Sequence, residues 1–233
     1  MCTVTFLPKG PQSYILTSNR DETPKRAALH PAEYSVYGRQ LYFPKEPLAG
    51  GTWIVTDKRH FTLCLLNGAF EVHKRTPPYR LSRGQMVLEF FKYGSVSIFL
   101  DEYDFNGIEP FTLVLVDSTA GTDLTELVWD GSAAHIQKLN VNQPHIWSSA
   151  TLYPKEIANQ RKAWFHSWLE QRGQFDQSEI IDFHKYGGRG DLWNNFIMKR
   201  GDNLETVSIT SIEKADEFAV KYEDLLTKEI SLS

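Results

Sequence analysis

The sequence has few of the features that mark secreted, membrane-spanning or heavily disulfide-bonded chains. Its 233 residues include only two cysteines, too few for the disulfide framework of a small secreted protein. No apolar run approaches the ~20 residues that a bilayer-spanning helix needs. The first eight residues lack the charged and apolar regions of a signal peptide. We therefore expect a cytoplasmic protein with no transmembrane segment.

The sequence also lacks an excess of charge of one sign. It carries 25 basic and 29 acidic residues, for a net charge of −4. Binding to a phosphate backbone needs a basic surface, and no cluster of Lys and Arg supplies one, so we expect no nucleic-acid partner. The seven histidines and two cysteines form neither H-E-x-x-H nor a zinc pattern. We predict no metal site and no cofactor.

What the chain does contain is typical of a globular protein. The hydrophobic fraction is 41%, the charged fraction 23% and the aromatic fraction 13%, values that exclude disordered, collagen-like and coiled-coil chains. The length suits one compact domain, or at most two fused lobes. We predict a single domain over residues 1–233, and the sequence leaves homo-oligomerisation open.

Hydrophobic periodicity predicts a mixture of strands and helices. Alternation predicts strands at residues 3–7, 14–17, 52–56, 61–66, 111–116, 126–129, 135–139, 206–212 and 218–222. Apolar spacings of three and four predict helices at residues 81–92, 95–103, 154–169 and 178–184, with Pro154 at a first helical position. The Pro-, Lys- and Arg-rich segment 23–47 predicts an irregular loop. Such an order is typical of an α+β fold.

Cys2 is the first candidate for chemistry. If the initiator Met1 is removed, Cys2 carries a free α-amine, whose usual pKa of ~7.7–8.0 lies near neutrality. A thiol is a strong nucleophile, and an adjacent amine can act as its base. One residue would then supply both groups. Alone, however, Cys2 is more simply a residue that precedes an edge strand.

The polar run Asn19-Arg20-Asp21-Glu22 follows the second predicted strand. If residues 3–7 and 14–18 form a hairpin, Arg20 and Asp21 return beside Cys2. Asp21 could accept a hydrogen bond from the α-ammonium or the thiol, and Arg20 would favour the thiolate by its charge. Taken alone, the run is typical of an exposed polar turn.

Two further motifs sit at predicted strand ends. The pair Gly50-Gly51 before Thr52-Trp53 permits a tight turn or a close approach of backbone to a ligand. Asn67, followed by a glycine, could donate a hydrogen bond to a developing oxyanion, although Asn-Gly is first of all a turn signal.

Together these motifs resemble one family. The second-position cysteine, the Asn-Arg-Asp-Glu run at 19–22 and the Gly-Gly-Thr-Trp run at 50–53 resemble, in order and spacing, the NRDE family, also called the transport and Golgi organisation protein 2 family. The match continues at residues 66–67, 82–84 and 111–117. It covers the first half of the chain well and the rest weakly.

The resemblance implies the fold of N-terminal nucleophile hydrolases, an α+β four-layer αββα sandwich, and cleavage of a linear C–N amide bond in a small molecule. Cysteine-type relatives include penicillin V acylases and bile salt hydrolases. By that likeness Cys2 attacks the amide carbonyl, and Asp21 and Arg20 orient and polarise the Cys2 nucleophile. Asn67 lines the oxyanion hole. The predicted substrate-binding residues are Asn19, Glu22, Gly51, Thr52 and Trp53.

The chain departs from those hydrolases at two places. They carry a second oxyanion Asn where this chain has Ser148-Ser149, and an Arg near a C-terminal strand where it has Thr206-Val207-Ser208. Two alternatives therefore stay open: a non-catalytic carrier of haem or another hydrophobic ligand, or a trafficking or scaffold protein with a decayed site. A haem would need an axial ligand, for which the candidates are His30, His60, His73 and His145.

Overall fold

The computed structural model describes residues 3–173, 175–190 and 192–233. The chain divides into two compact units. The first unit combines both ends of the chain, Met1–Ala27 and Asn142–Ser233, and the second is Ala28–Val141. The predicted nucleophile Cys2 lies outside the described residues.

The described residues form fourteen strands. In chain order they are β1 (Thr3–Gly10), β2 (Ser13–Glu22), β3 (Leu29–Val36), β4 (Arg39–Lys45), β5 (Ile54–Thr56), β6 (Phe61–Asn67), β7 (Phe111–Asp117), β8 (Asp123–Trp129), β9 (Ala134–Leu139), β10 (His145–Ser148), β11 (Lys199–Arg200), β12 (Leu204–Lys214), β13 (Phe218–Asp224) and β14 (Ile230–Leu232).

Four α-helices accompany these strands: α1 (Arg83–Glu89), α2 (Val96–Glu102), α3 (Lys155–Glu170) and α4 (Gln177–Tyr186). Two short 3-10 helices span Pro24–Arg26 and Phe90–Lys92. Helix α4 begins with a capping box in which Asp176 accepts from the Glu179 amide and the Glu179 side chain accepts from the Asp176 amide. That box satisfies amides which the helix itself leaves without partners.

The first unit contains an antiparallel sheet with the order β10-β1-β2-β12-β13-β14, and β11 pairs with β12. The long central strands β2 and β12 are buried along most of their length. Helices α3 and α4 cover one face of this sheet. Their apolar core consists of Leu7, Ile15, Ile146, Phe165, Ile180, Phe183 and Phe196.

The second unit is a seven-stranded antiparallel meander, in which β3 to β9 follow one another in order. Its middle strands β6 and β7 are almost entirely buried, which agrees with their continuous apolar sequences. The side chains of Phe61, Phe90 and Phe99 pack edge to face with ring centroids 5.1 and 5.3 Å apart. These contacts join the α1–α2 segment to the sheet.

The prediction of an irregular loop at residues 23–47 is wrong, because the hairpin of β3 and β4 occupies most of it. Its turn residues Tyr37 and Gly38 have φ values of 51° and 75°, the left-handed pair typical of a two-residue hairpin turn. Strand β3 lies at a sheet edge, where Pro31 costs no ladder hydrogen bond. The alternation of apolar and polar residues is weak in half-exposed edge strands. In β3, proline and charged residues obscure it further.

The other predicted elements are found with shifts of one to three residues at most of their ends, but β2 extends five residues beyond the predicted strand at 14–17 and includes the Asn-Arg-Asp-Glu run. The predicted strand at 52–56 starts two residues later, at Ile54. Pro154 is the N-cap of α3 and not its first helical residue. The short strands β10, β11 and β14 were not predicted. The prediction of a single domain stays a prediction.

Candidate functional site

The predicted hairpin of the first two strands is confirmed. Strand β1 pairs with β2 so that Thr3 lies opposite Asn19 and Val4 opposite Ser18. Because alternate residues of a strand point to opposite faces, Asn19 and Asp21 share one face of β2 and Arg20 points to the other. Arg20, Asp21 and Asn19 are all at most 4% exposed. The polar run is therefore a buried strand end and not a surface turn.

Both carboxylate oxygens of Asp21 are held by hydroxyl groups. The Tyr153 hydroxyl donates to Oδ2 at 2.9 Å, and the Thr206 hydroxyl donates to Oδ1 at 2.7 Å. Thr206 lies directly opposite Asp21 in the sheet, just before a bulge at Val207. The bulge lets β12 hold Thr206 against Asp21 while Ser208 pairs with Arg20. The carboxylate is fixed in position and remains acceptor-only.

The two residues that flank Asp21 contact the 3-10 turn that follows β2. Arg20 donates from Nη1 to the Arg26 carbonyl at 2.7 Å. Glu22 accepts from the Thr23 amide at 2.9 Å and from Arg26 Nη1 at 3.2 Å. These contacts fix the chain as it leaves the sheet, so the direction of the β2 end is set by its own charged residues.

Asn19 takes part in a buried network around His184. Its Nδ2 donates to the Phe196 carbonyl at 2.9 Å, and its Oδ1 lies 2.5 Å from His184 Nδ1. The Nε2 of His184 lies 2.8 Å from the Thr5 hydroxyl. Burial first, and the nearby Arg161 guanidinium second, lower the pKa of His184 to about 3. The ring is therefore neutral at physiological pH and ties α4 to β1 and β2.

Two arginines lie beside the ring of Tyr153. The Arg161 guanidinium lies 3.5 Å from the centroid of the Tyr153 ring, and that of Arg200 lies 5.2 Å from it. Arg200 also donates to the Leu152 carbonyl at 3.0 Å. Both guanidinium groups lie within cation–π distance of this ring, and the ring carries the hydroxyl that holds Asp21.

In the second unit, the Gly-Gly-Thr-Trp motif packs against the start of α1. A β-carbon on Gly51 would lie 2.7 Å from the Gln85 nitrogen, and one on Gly84 would lie 2.9 Å from the Thr52 carbonyl oxygen. The Thr52 amide donates to the Gly84 carbonyl at 3.2 Å. The two glycines are needed because the backbones touch. Trp53 is 4% exposed, so the motif is part of the fold of this unit.

Asn67 lies at the end of β6, opposite Phe111 of β7. The next amide, that of Gly68, donates to the Pro110 carbonyl at 3.0 Å, and Arg83 Nη1 donates to the same carbonyl at 3.0 Å. The Ser82 hydroxyl caps α1 by accepting from the Gln85 amide. The segment at 82–84 thus positions both the Gly-Gly-Thr-Trp motif and the turn after Asn67.

The structure groups the predicted site residues in two sets. Asn19, Arg20, Asp21 and Glu22 lie together on β2 in the first unit. Gly51, Thr52, Trp53 and Asn67 lie in the second unit. That the two sets form one site stays a prediction, as do the roles predicted for each residue.

Sequence reasoning missed four residues of the Asp21 neighbourhood. Tyr153, Arg161 and His184 lie more than 130 positions from the β1 and β2 residues that they contact. Thr206 was noticed only as a departure from an expected Arg. An Arg on the apolar face of a helix, as Arg161 is between Ala158 and Phe165, was the available signal, because such a charge is rarely buried without a reason.

The described residues contain no group of three His, Cys, Asp or Glu side chains that could hold a metal ion. Within the described part of the chain, no helix is long and apolar enough to cross a membrane. The haem-ligand candidate His73 lies 3.2 Å from Glu109, and the candidate His145 packs against Phe6 and Trp147.

Comparison with known proteins supports both the family and the fold. The family model of Transport and Golgi organisation 2 matches residues 1–187. None of the curated proteins compared with the chain matches it.

Three solved structures are similar over nearly the whole chain. Penicillin V acylase from Agrobacterium tumefaciens is 13% identical, with a TM-score of 0.58 over 100% of this chain and 85% of that chain. A variant of the conjugated bile acid hydrolase from Clostridium perfringens is 9% identical, with a TM-score of 0.57 over 100% and 92%. A Caenorhabditis elegans N-acylethanolamine-hydrolyzing acid amidase ortholog is 14% identical, with a TM-score of 0.52 over 91% and 92%. The likeness confirms the predicted α+β fold of N-terminal nucleophile hydrolases, and at these identities it carries the fold alone.

Proposed function

The chain belongs to the Transport and Golgi organisation 2 family, and from that premise we propose that it is an N-terminal cysteine hydrolase that cleaves a linear C–N amide bond in a small molecule. The observation that carries the proposal is the fixed Asp21 carboxylate at the end of β2. The register places Thr3, the residue after Cys2, opposite Asn19. The similar structures named as an acylase, a hydrolase and an amidase support the reaction class by analogy only.

In the proposed reaction, removal of Met1 frees the α-amine of Cys2, and that amine accepts the thiol proton. The thiolate attacks the amide carbon and forms a tetrahedral oxyanion, which Asn67 stabilises. Collapse breaks the C–N bond, and the leaving amine takes the proton from the α-ammonium. Water then hydrolyses the thioester and releases the acid and the free thiol.

Each residue of the Asn-Arg-Asp-Glu run has a role in the proposal. Asp21 orients the α-amine because its own oxygens are fixed, and Arg20 favours the thiolate by its charge. Asn19 and Glu22 hold the strand end in place and are also proposed to contact the substrate. Gly51, Thr52 and Trp53 are proposed to line the substrate site. The substrate-facing oxyanion site then depends on Asn67, because Ser148-Ser149 provides no second Asn.

The first experiment is the intact mass of the purified protein before and after brief treatment with iodoacetamide. We expect a chain that starts at Cys2 and takes up one alkyl group there rapidly. Cys64 is the internal control, because it is fully buried in β6. A chain that keeps Met1 and whose Cys2 reacts sluggishly would contradict the proposal.

Activity is tested with phenoxymethylpenicillin, a glycine-conjugated bile acid and an N-acylethanolamine, by release of the free amine. We expect hydrolysis of at least one of them. Cys2→Ala should lower the rate about 1,000-fold or more, as loss of a nucleophile does in other hydrolases. Cys64→Ala is the matched control and should keep the rate. No turnover of any of the three by a chain with a reactive Cys2 would contradict this choice of substrate class.

A cavity in the first unit favours a second candidate function, a carrier of a hydrophobic ligand. It has a volume of about 520 Å³, within the range of small-molecule sites. Its apolar lining is formed by Leu192, Ile197, Met198, Leu225, Leu226 and Ile230. Two ion pairs flank it, Lys185 with Glu223 at 2.5 Å and Lys199 with Glu205 at 3.2 Å.

The charges around this cavity are nearly balanced, because three lysines face three glutamates and Asp224. An uncharged aliphatic chain therefore suits it better than an anion. Haem fits it poorly, because the described lining contains no His or Cys and the two propionates would need unpaired cations. The proposed ligand is a neutral aliphatic chain.

The carrier function is tested by thermal shift with decan-1-ol, decanoate and haemin. We expect decan-1-ol to raise the Tm and decanoate to raise it less. Ile197→Trp, which fills the cavity, should abolish the shift, whereas Ile136→Trp on the exposed face of β9 should keep it. An equal shift in both variants, or no shift at all, would contradict ligand binding in this cavity.

The cytoplasmic location also stays a prediction, which cell fractionation checks.

A further inference from the structure

Arg161 is a fully buried arginine in the middle of α3, with 0% of its surface exposed. Its Nη1 donates to the Thr3 hydroxyl at 2.5 Å, its Nε and Nη2 donate to the Asn194 carbonyl at 3.2 and 3.0 Å, and Nη2 also donates to the Asn195 carbonyl. Its guanidinium carbon lies 3.5 Å from the centroid of the Tyr153 ring. Every one of these described partners is uncharged.

A buried cation is costly unless an anion or several dipoles compensate for the lost water. Two half-buried arginines of this chain each have a carboxylate partner, Arg83 with Glu109 at 3.2 Å and Arg26 with Glu22 at 3.2 Å. Among the described residues, no carboxylate oxygen forms an ion pair with Arg161. Hydrogen bonds to carbonyls satisfy its N–H groups but leave its positive charge uncompensated.

The charge of Arg161 acts on its neighbours. It is the second cause, after burial, of the lowered pKa of His184. Its hydrogen bond to Thr3 places the charge beside the residue that follows Cys2. Through the ring of Tyr153 it also contacts the group that holds Asp21.

We propose that Arg161 is a positioning residue whose positive charge holds the N-terminal Cys2 in its reactive protonation state. A nearby cation disfavours the ammonium form of the α-amine and favours the thiolate. The amine is then a free base near neutral pH and can accept a proton, and the positive charge stabilises the thiolate that remains. This inference rests on the function proposed above, because it needs Cys2 to be the nucleophile.

The inference is tested by the pH profile of Cys2 alkylation in a Cys64→Ala background. In Arg161→Met we expect the midpoint of the profile to rise by about one pH unit, the size of a typical effect from one nearby charge. At pH 7 that corresponds to about a tenfold slower alkylation. Arg161→Lys keeps the charge and should recover at least half of the change in midpoint.

Arg172→Met is the matched control. Arg172 also stacks on an aromatic ring, that of Trp168 at 4.9 Å, but it is partly exposed and lies 3.6 Å from Glu179. Its loss should leave the alkylation profile unchanged. Circular dichroism and the Tm of each variant show whether it is folded, so a loss of structure is told apart from a change in protonation.

Thr3→Val provides a second variant in case Arg161→Met does not fold. It removes the hydrogen bond between Nη1 and the Thr3 hydroxyl while keeping the size of the side chain, and we expect a smaller rise of the midpoint. Folded variants with the wild-type midpoint would overturn the inference and leave the proposed function standing. A wild-type chain that keeps Met1, or whose Cys2 has the midpoint of an ordinary thiol near ~8.5, would overturn the proposed function itself.

Discussion

Two buried charges, one in each unit, are treated in opposite ways. Glu109 in the second unit is 8% exposed and is surrounded by two arginines and a histidine. Its Oε1 lies 3.2 Å from His73 Nε2 and 3.1 Å from Arg75 Nε, and its Oε2 lies 3.2 Å from Arg83 Nη2. Arg161 in the first unit is more deeply buried, and its described partners are carbonyls, a hydroxyl and aromatic rings.

The difference separates a structural charge from one that is available for chemistry. The charge of Glu109 is compensated by its ion pairs, and these contacts hold Arg83 and the turn after Asn67 in place. The charge of Arg161 has dipoles for partners, so its field still acts on His184, whose pKa it helps to lower. A network that balances its own charges stabilises a fold, whereas an unbalanced one changes the protonation of its neighbours.

The largest expected effect on stability comes from the backbone contact between Gly51 and the start of α1 in the second unit. Gly51→Ala places a β-carbon within 3 Å of the Gly84 and Gln85 backbones, and backbone atoms cannot rotate away. We expect a loss of about 3 kcal/mol or more in the free energy of unfolding, the upper range of overpacking effects. Urea unfolding measures it.

Gly173→Ala is the control for that variant, because a β-carbon there meets no atom within 4 Å. Because Gly173 lies on the surface, the variant should change the free energy of unfolding by less than about 0.5 kcal/mol. Equal stabilities of Gly51→Ala and Gly173→Ala would show that the contact between the two motifs is not tight.

The balanced network is broken next by Glu109→Gln. The change removes the anion that Arg83 faces, so a half-buried guanidinium loses its charged partner, and the contact with His73 is weakened. We expect a loss of about 2–3 kcal/mol, less than for a wholly buried pair because Arg75 is largely exposed. Glu205→Gln, whose partner Lys199 is exposed, is the control and should cost less than about 1 kcal/mol. Similar losses in both would refute the ranking.

Strong periodicity made part of this structure predictable from the sequence. The central strands β6 and β7 are continuous apolar runs, and the hairpin of β1 and β2 follows from clear alternation around a Pro-Gly turn. The hairpin of β3 and β4 was not predicted because one of its strands lies at a sheet edge and contains Pro31. Edge strands satisfy fewer constraints, so their sequences carry less signal.

The candidate site was predictable only in its local half. Motif residues such as Asp21 and Gly51 stood out by type and order along the chain. Their partners did not, because Tyr153 is 132 positions from Asp21 and Arg161 is 158 positions from Thr3. Contacts of that separation are created by the fold, and composition or spacing cannot reveal them.

The smallest expected effect sharpens the comparison in the first unit. The pKa of His184 is lowered to about 3 in the folded chain, against ~6.5 for an unfolded histidine. Below pH ~6.5 the unfolded chain takes up a proton that the folded chain does not, so stability falls as the pH falls toward 3. Between pH 7.5 and 5.5 we expect His184 to lower the free energy of unfolding by about 1.4 kcal/mol.

The measurement is the free energy of unfolding at several pH values for the wild type and for His184→Gln, which has no titrating ring. The slope below pH 6.5 should be shallower in the variant, whatever its absolute stability, because the other histidines are common to both chains. If His184→Gln does not fold, the His184 ring resonance in the wild type should show no titration between pH 5 and 8. A His184 ring that titrates near pH 6.5 would mean that neither burial nor the Arg161 charge lowers its pKa. The contrast between the two buried charges would then be lost.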